Sequence, residues 1–157
     1  MKMHQITTFQ RRVGLIRRIQ EHDFEQVIRL FTQLWPDMPL SYDDVKSVYN
    51  EYNRNDNYQM WCYDDDGIIG IVTITRRQAF YYGGPVAILE DIVIDEQHRG
   101  RGIGRQLVEF VESELAKEGI QCFEVSSDFH REGAHVFWEK MGYKRSGYHF
   151  RKRPDRR

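Results

Sequence analysis

The sequence predicts a single domain of mixed α/β class, an α+β mixed sheet, and three observations carry that expectation. The 157 residues are the length of one domain, enough to bury ~70% of the unfolded surface without a disulfide framework. Apolar residues recur with periods that switch between 2 and 3.6, giving the order β-α-α-β-β-β-α-β-α-β. An antiparallel hairpin then leads into β-α-β units, which is the connectivity of a sheet with both parallel and antiparallel pairs. No internal repeat and no linker marks a second domain.

Residues 1–14 show neither period and end in glycine, so they are expected to form an N-terminal extension, with the domain over 15–151 and a basic tail over 152–157. A first strand spans 15–19. Phe24, Val27, Ile28, Phe31, Leu34 and Trp35 then recur at helical spacing, Glu21 and Asp23 favour the helix N-terminus, and Pro36 stops it. Ser41 followed by Asp44 resembles a capping box, and Val45, Val48, Tyr49 and Tyr52 continue a second helix to about residue 53. Strands over 58–63 and 68–75 flank an Asp-Asp-Asp-Gly turn at 64–67. A loop over 78–85 precedes an apolar strand over 86–94. Gly104, Leu107, Val108, Val111 and Leu115 line a third helix closed by Gly119. A strand over 120–126, a short helix over 131–141 closed by Gly142 and a last strand over 143–151 complete the chain.

The net charge of −1 hides a segregation. Residues 1–20 carry five basic groups and no acid, residues 21–150 carry 13 basic and 23 acidic groups, and residues 151–157 carry five basic and one acidic. The acidic body has the wrong sign for a nucleic-acid binder, which needs a cationic stripe to displace counterions. No run approaches the ~18 apolar residues of a membrane span, and the N-terminus lacks the apolar stretch of a signal peptide, so a cytoplasmic protein without a membrane partner is expected. Cys62 and Cys122 lie in strand patterns without metal-ligand spacing, so both are expected as reduced core residues and no metal is expected.

The chemistry-bearing stretch is Leu-Glu-Asp-Ile-Val-Ile-Asp-Glu-Gln-His-Arg-Gly-Arg-Gly-Ile-Gly-Arg over 89–105. Glycines at 100, 102 and 104 lie between a strand and the first turn of a helix, where free N–H groups meet the positive end of the helix dipole. Such a turn suits phosphate, because glycine lets the anion approach the backbone. Arg99, Arg101 and Arg105 add three cations there. A dinucleotide fingerprint would follow the first strand rather than the fourth, and a P-loop would require Gly-Lys-Ser/Thr.

This stretch resembles the GNAT N-acetyltransferases, whose acetyl-CoA signature Gln/Arg-x-x-Gly-x-Gly/Ala is matched by Arg99-Gly100-Arg101-Gly102-Ile103-Gly104. Ala134-His-Val-Phe-Trp-Glu-Lys-Met-Gly-Tyr143 is similar to a second family segment, and the resemblance covers roughly residues 15–150. It implies the GNAT acyl-CoA N-acyltransferase fold and a transferase using acetyl-CoA as co-substrate. It further implies that amides from Gly100 to Arg105 hold the pyrophosphate, while Ile92, Val93 and Ile94 pair with the pantetheine arm and polarise the thioester carbonyl. Arg131, where many members have asparagine, is expected on the cofactor side together with His130 and His135.

The implied reaction is direct attack of an amine on the thioester. An alkylammonium with pKa ~10.4 must lose a proton first, so a base or a water chain is required. Glu90 and Asp91 are the candidates, strand alternation puts them on opposite faces, and Glu90 is favoured through similarity to the matching strand of glucosamine 6-phosphate N-acetyltransferases. The family tyrosine that protonates the departing thiolate is matched by Trp138, an indole with no titratable proton, leaving Tyr143, Tyr148 or water as substitutes.

The acceptor is expected to be a small, cationic primary amine. Leu34-Trp35-Pro36-Asp37 resembles a segment of some aminoglycoside 6'-N-acetyltransferases, and Trp35, Asp37, Tyr81 and Asp128 are expected to line the acceptor wall. Asp43, Asp44, Glu90 and Asp91 add to a field that concentrates cations. Alternatives are an aminoglycoside, a protein or peptide amine, or a catalytically weak acyl-CoA sensor. Family members are often homodimers, although no residue here specifies an interface.

Overall fold

The computed structural model describes residues 14–37 and 41–154. The expected N-terminal extension falls outside these except for Gly14, as does the end of the basic tail beyond residue 154. Five strands form one sheet in the order β1-β2-β3-β4-β5. These are β1 (Leu15–Arg18), β2 (Tyr58–Asp64), β3 (Ile68–Ala79), β4 (Gly84–Ile94) and β5 (Cys122–Val125). The first four pair antiparallel and β4 pairs β5 in parallel. Helices α1 (Phe24–Leu34) and α2 (Tyr42–Arg54) cover one face, and α3 (Ile103–Lys117) and α4 (Glu132–Lys140) the other.

Sequence spacing explains each layer. Phe24, Val27, Leu30 and Phe31 form one buried stripe on α1, packed with Cys62, Ile71 and Val93 from alternate strand positions. Leu107, Val108, Val111 and Leu115 of α3 pack on Val72, Ile74, Ala87 and Leu89 from the other side. Ser41 caps α2 by accepting the Asp44 N–H at 3.3 Å, as the capping pattern predicts. In the β2–β3 turn Asp66 has φ 55° and Gly67 φ 135°, and Asp64 accepts the Gly67 N–H at 3.1 Å.

Two elements differ from the sequence expectation. The loop expected over 78–85 shrinks to a single turn, because the β3–β4 ladder continues through Arg77↔Val86 to Ala79↔Gly84. Arg76 and Arg77 on that extension are held by Glu118 at 2.6 Å and Glu124 at 2.9 Å. The strand expected over 143–151 does not form, and residues 143–154 have no regular secondary structure. Tyr148 and Phe150 are 78% and 90% exposed. Gly147 and the basic residues of this stretch leave too few apolar contacts to offset the entropy of ordering it on the sheet.

A buried ion pair ties the start of the chain together. Arg17 on β1 donates to both carboxylate oxygens of Asp23 at 2.7 and 3.0 Å and to Asp64 on β2 at 2.9 Å, and Asp23 also accepts the Gln20 N–H at 2.8 Å. Asp23 is 1% exposed. Burial alone would raise its carboxyl, but the Arg17 and Gln20 bonds outweigh it and hold the group below the ordinary range. A carboxyl depressed by folding contributes stability that is complete above its unfolded pKa of ~3.9 and is lost as pH falls through the folded value. Asp23→Asn is therefore expected to cost about 3 kcal/mol at pH 7 and to flatten the acid limb of stability below about pH 4, measured by urea unfolding across pH.

Candidate functional site

The β4–β5 pairing runs from Val86↔Cys122 to Leu89↔Val125 and stops there, although β4 continues to Ile94. A gap therefore opens along one edge of the last turn of β4. The Asp95 N–H donates to Ile69 O on β3 at 2.8 Å. Backbone direction alternates along a strand, so the N–H and C=O groups of Val93 also face β3, while those of Ile92 and Ile94 face the gap. The Arg99 Nε bond to Ile94 O, at 3.0 Å, lies on that open side.

At the mouth of the gap the β3–β4 register slips. Thr73 pairs Asp91 while Ile74 pairs Leu89, which leaves Glu90 as the extra residue of a β-bulge. The bulge interrupts the strict alternation on which the expected opposite orientation of Glu90 and Asp91 rests, and the charges of both carboxylates are felt at the Tyr52 phenol from α2. Thr73 Oγ1 donates to Asp91 Oδ2 at 2.8 Å and accepts the Asp91 N–H at 3.1 Å. Burial pushes the Asp91 carboxyl above its ordinary value, and the charge of Glu90 adds to this against the Thr73 bond and the Arg131 charge. Glu90 is exposed. Burial is the chief cause that raises the Tyr52 phenol, with the charges of Asp91 and Glu90 adding to it and the nearby Thr75 and Thr73 acting against it. Sequence reasoning passes over Thr73, Thr75 and Tyr52, although two threonines at alternate positions of an otherwise apolar strand mark a polar stripe on one sheet face.

Beyond β4, Gly100 and Gly102 both have φ 75°, a region that side chains rarely adopt, and a Cβ at Gly100 would meet nothing within 4 Å. Gly102 is the N-cap of α3 and no side chain caps it, so the first-turn N–H groups of Ile103, Gly104 and Arg105 are left for an anion. A Cβ at Gly104 would lie 3.6 Å from Ile94 and 3.7 Å from Phe137, so the helix start sits close beside the end of β4. The arginines are exposed. Arg101 donates to Gln97 O at 3.2 Å and Arg105 pairs with Glu109 at 3.0 Å.

A second network braces this loop from α1. Asp95 accepts from Arg29 at 2.5 Å, from the Gln97 N–H at 3.1 Å and from Gln33 at 3.4 Å, while the Glu96 N–H donates to Gln33 at 3.0 Å. The Arg29 bond is the chief reason the Asp95 carboxyl sits well below the usual range.

The other residues expected at the site scatter. Trp138 is 6% exposed and packs edge-on against Tyr143 at 5.1 Å, inside the core between sheet and helices. Tyr143 donates to Glu112 on α3 at 2.5 Å, and burial together with that carboxylate raises its phenol far above the ordinary value. Its proton is committed to α3, which makes Tyr143 a poor acid for a departing thiolate. Asp128 is ion-paired with Arg151. Trp35 stacks on Phe31 at 5.2 Å, and Asp37 is exposed in the turn beyond α1. Tyr81 is 91% exposed at the tip of the β3–β4 hairpin, which at ~3.3 Å per strand residue lies more than about 20 Å from Asp91. Arg131, expected on the cofactor side, reaches instead toward α1, where its Nη2 donates to Leu34 O at 3.4 Å.

Known proteins resemble this chain in sequence and fold. The model of the family described as "Acetyltransferase (GNAT) family" matches residues 22–143. The aminoalkylphosphonate N-acetyltransferase of Salmonella typhimurium is 24% identical over 139 residues, 87% of this chain and 89% of that protein. The glucosamine 6-phosphate N-acetyltransferase of Trypanosoma brucei brucei is 26% identical over 132 residues, 82% of this chain and 88% of that protein. In fold, the chain is similar to an aminoglycoside acetyltransferase from an uncultured soil metagenomic sample, solved in complex with sisomicin. That likeness has a TM-score of 0.80 and 21% identity, covering 91% of this chain and 97% of the other.

The φ of Gly102 and the charge preference of the α3 N-terminus make one substitution decisive. Gly102→Asp is expected to weaken CoA binding by at least about 100-fold, read by calorimetry, through backbone strain and a negative charge set against the pyrophosphate.

Proposed function

The chain belongs to the GNAT acetyltransferase family and is an N-acetyltransferase; on that premise we propose that it moves the acetyl group of acetyl-CoA directly onto a primary amine of a small acceptor, with Asp91 as the base. The observation that carries the reading is the gap where β4 parts from β5, flanked by the glycine turn at one end and by the Asp91 bulge at the other. The relatives described above act, by their names, on an aminoalkylphosphonate and on glucosamine 6-phosphate, both small amines.

The residues divide the work as follows. Amides of Gly100 to Arg105 hold the pyrophosphate, and the outward backbone groups of Ile92 and Ile94 hold the pantetheine arm. An N–H on that edge lies ready for the negative charge that grows on the thioester oxygen, an effect worth several kcal/mol when the donor is fixed in advance. Glu90, exposed at the bulge, attracts the incoming ammonium. Asp91 takes its proton, directly or through one water, and the affinity for a proton that partial burial gives this half-buried carboxyl suits it to the role of base. The C–N bond forms as the C–S bond breaks. The thiolate takes a proton from the attacking nitrogen or from solvent, since neither Trp138 nor Tyr143 is available to it.

A thiol-release assay with acetyl-CoA against amino sugars, amino acids, polyamines and aminoglycosides tests the reading. Turnover on a small amine is expected; CoA binding without turnover would favour the sensor, and release that is independent of any amine would mean hydrolysis in place of transfer. Asp91→Asn is expected to lower kcat by about 100-fold or more. Because Asp91 must be ionised to act and its pKa is raised, kcat should climb with pH through a limb above ordinary aspartate values, and the variant should lose that limb. Glu90→Gln should instead act mainly on KM for the amine.

A further inference from the structure

Arg131 is the N-cap residue of α4, and its side chain does something unusual for a cap. Helix α4 packs with α3 on one face of the sheet through Ala134, Phe137 and Trp138, whereas α1 covers the opposite face. The Arg131 guanidinium bridges the two faces, donating at 3.4 Å to Leu34 O, a last-turn carbonyl of α1. That single long bond uses one of five N–H donors. Among the described residues Arg131 makes no ion pair, although it is half-buried. Asp128, three residues before it, pairs with Arg151, and Asp91 is bonded to Thr73. The Arg131 charge is nonetheless felt at Asp91. Guanidinium donors that no carboxylate of the described residues takes are open to an external anion, and the planar fork matches carboxylate, phosphate or phosphonate oxygens in pairs.

We propose that Arg131 is a specificity-determining residue that binds an anionic group of the acceptor, so that the preferred substrate is a primary amine bearing a carboxylate, phosphate or phosphonate rather than a polycation. The inference rests on the N-acetyltransferase reading and narrows its acceptor. The amine end of such a molecule lies toward the acidic pair Glu90 and Asp91, and the anionic end toward Arg131, so the site presents charges of both signs to a molecule with both. An acidic wall alone would favour any cation. The opposed arginine turns that preference toward zwitterions and against polyamines, since a second ammonium would face the guanidinium.

The test compares matched amines in the thiol-release assay: glucosamine 6-phosphate against glucosamine, 2-aminoethylphosphonate against ethanolamine, and β-alanine against propylamine. At least one member bearing the anion is expected to exceed its partner lacking it by about 10- to 100-fold in kcat/KM, the size of one charge-assisted contact. Arg131→Met should bring that ratio close to one, mainly through KM, and Arg131→Lys should restore part of it. CoA affinity by calorimetry and a thermal melt accompany each variant. Turnover with no preference in any pair, or a preference that survives Arg131→Met, overturns the proposal while leaving the transferase reading intact. A loss of CoA affinity in Arg131→Met also overturns it, because the arginine would then serve the cofactor. Absence of turnover with every amine would instead overturn the transferase reading itself.

Discussion

The constraint on which the site depends is a hydrogen-bond ladder that stops early. A parallel strand pair normally continues for as long as both strands last, since each unmade backbone bond in a buried setting costs free energy. Here β5 ends at Val125 while β4 runs five residues past their last pair, Leu89↔Val125. The edge of β4 is left with unpaired donors and acceptors in the middle of the domain, and it is held in place because its other edge pairs with β3 through Ile94, apart from the bulge at Glu90. An extended ligand backbone is what such an edge lacks. The half-open strand is thus a consequence of β5 being short, and the glycine turn, the bulge and the α3 N-terminus all take their positions from it.

Two braces keep the ends of that edge in place. At the far end, Asp95 gathers Arg29, Gln33 and the Gln97 amide, so the turn carrying the glycines is held to α1 by charge and not by packing alone. At the near end, Thr73 bonds Asp91 twice across the bulge, using both its donor and its acceptor capacity. The bulge is also what makes the carboxylate chemistry possible. Without it, alternation would send Glu90 and Asp91 to opposite faces, and only one would meet the amine. With it, both lie near Tyr52, and their mutual repulsion adds to burial in raising the proton affinity of Asp91.

Charge along the chain is put to local use. The acidic body concentrates its one run of cations, Arg99 to Arg105, at the turn suited to a pyrophosphate. Of the acids in that body, several are spent on ion pairs: Asp128 on Arg151, Asp23 on Arg17, Asp95 on Arg29. The field at the amine site is therefore made by few groups, with Glu90 and the Arg131 cation among them.

Much of this is legible in the order of the residues. The α/β class, most of the element order and the phosphate turn follow from periodicity and from glycines at a strand-to-helix junction, because those signals are local, while the pair Glu90 and Asp91 comes from the resemblance of their strand to that of the acetyltransferases. What the sequence leaves open depends on contacts between segments far apart. The bulge at Glu90 is a slip in register against β3, invisible in the alternation of β4 by itself. The end of β5 pairing, the burial of Trp138, the commitment of Tyr143 to Glu112 across 31 residues and the reach of Arg131 to Leu34 across 97 are tertiary decisions. The strand expected over 143–151 is absent for the same reason: alternation of Tyr148 and Phe150 is a local signal, but a strand exists only where a neighbouring edge and a buried face receive it, and here neither does. Sequence by itself determined which chemistry the chain carries; tertiary structure decided which side chains reach it, because reach is set by packing between elements and packing is not local.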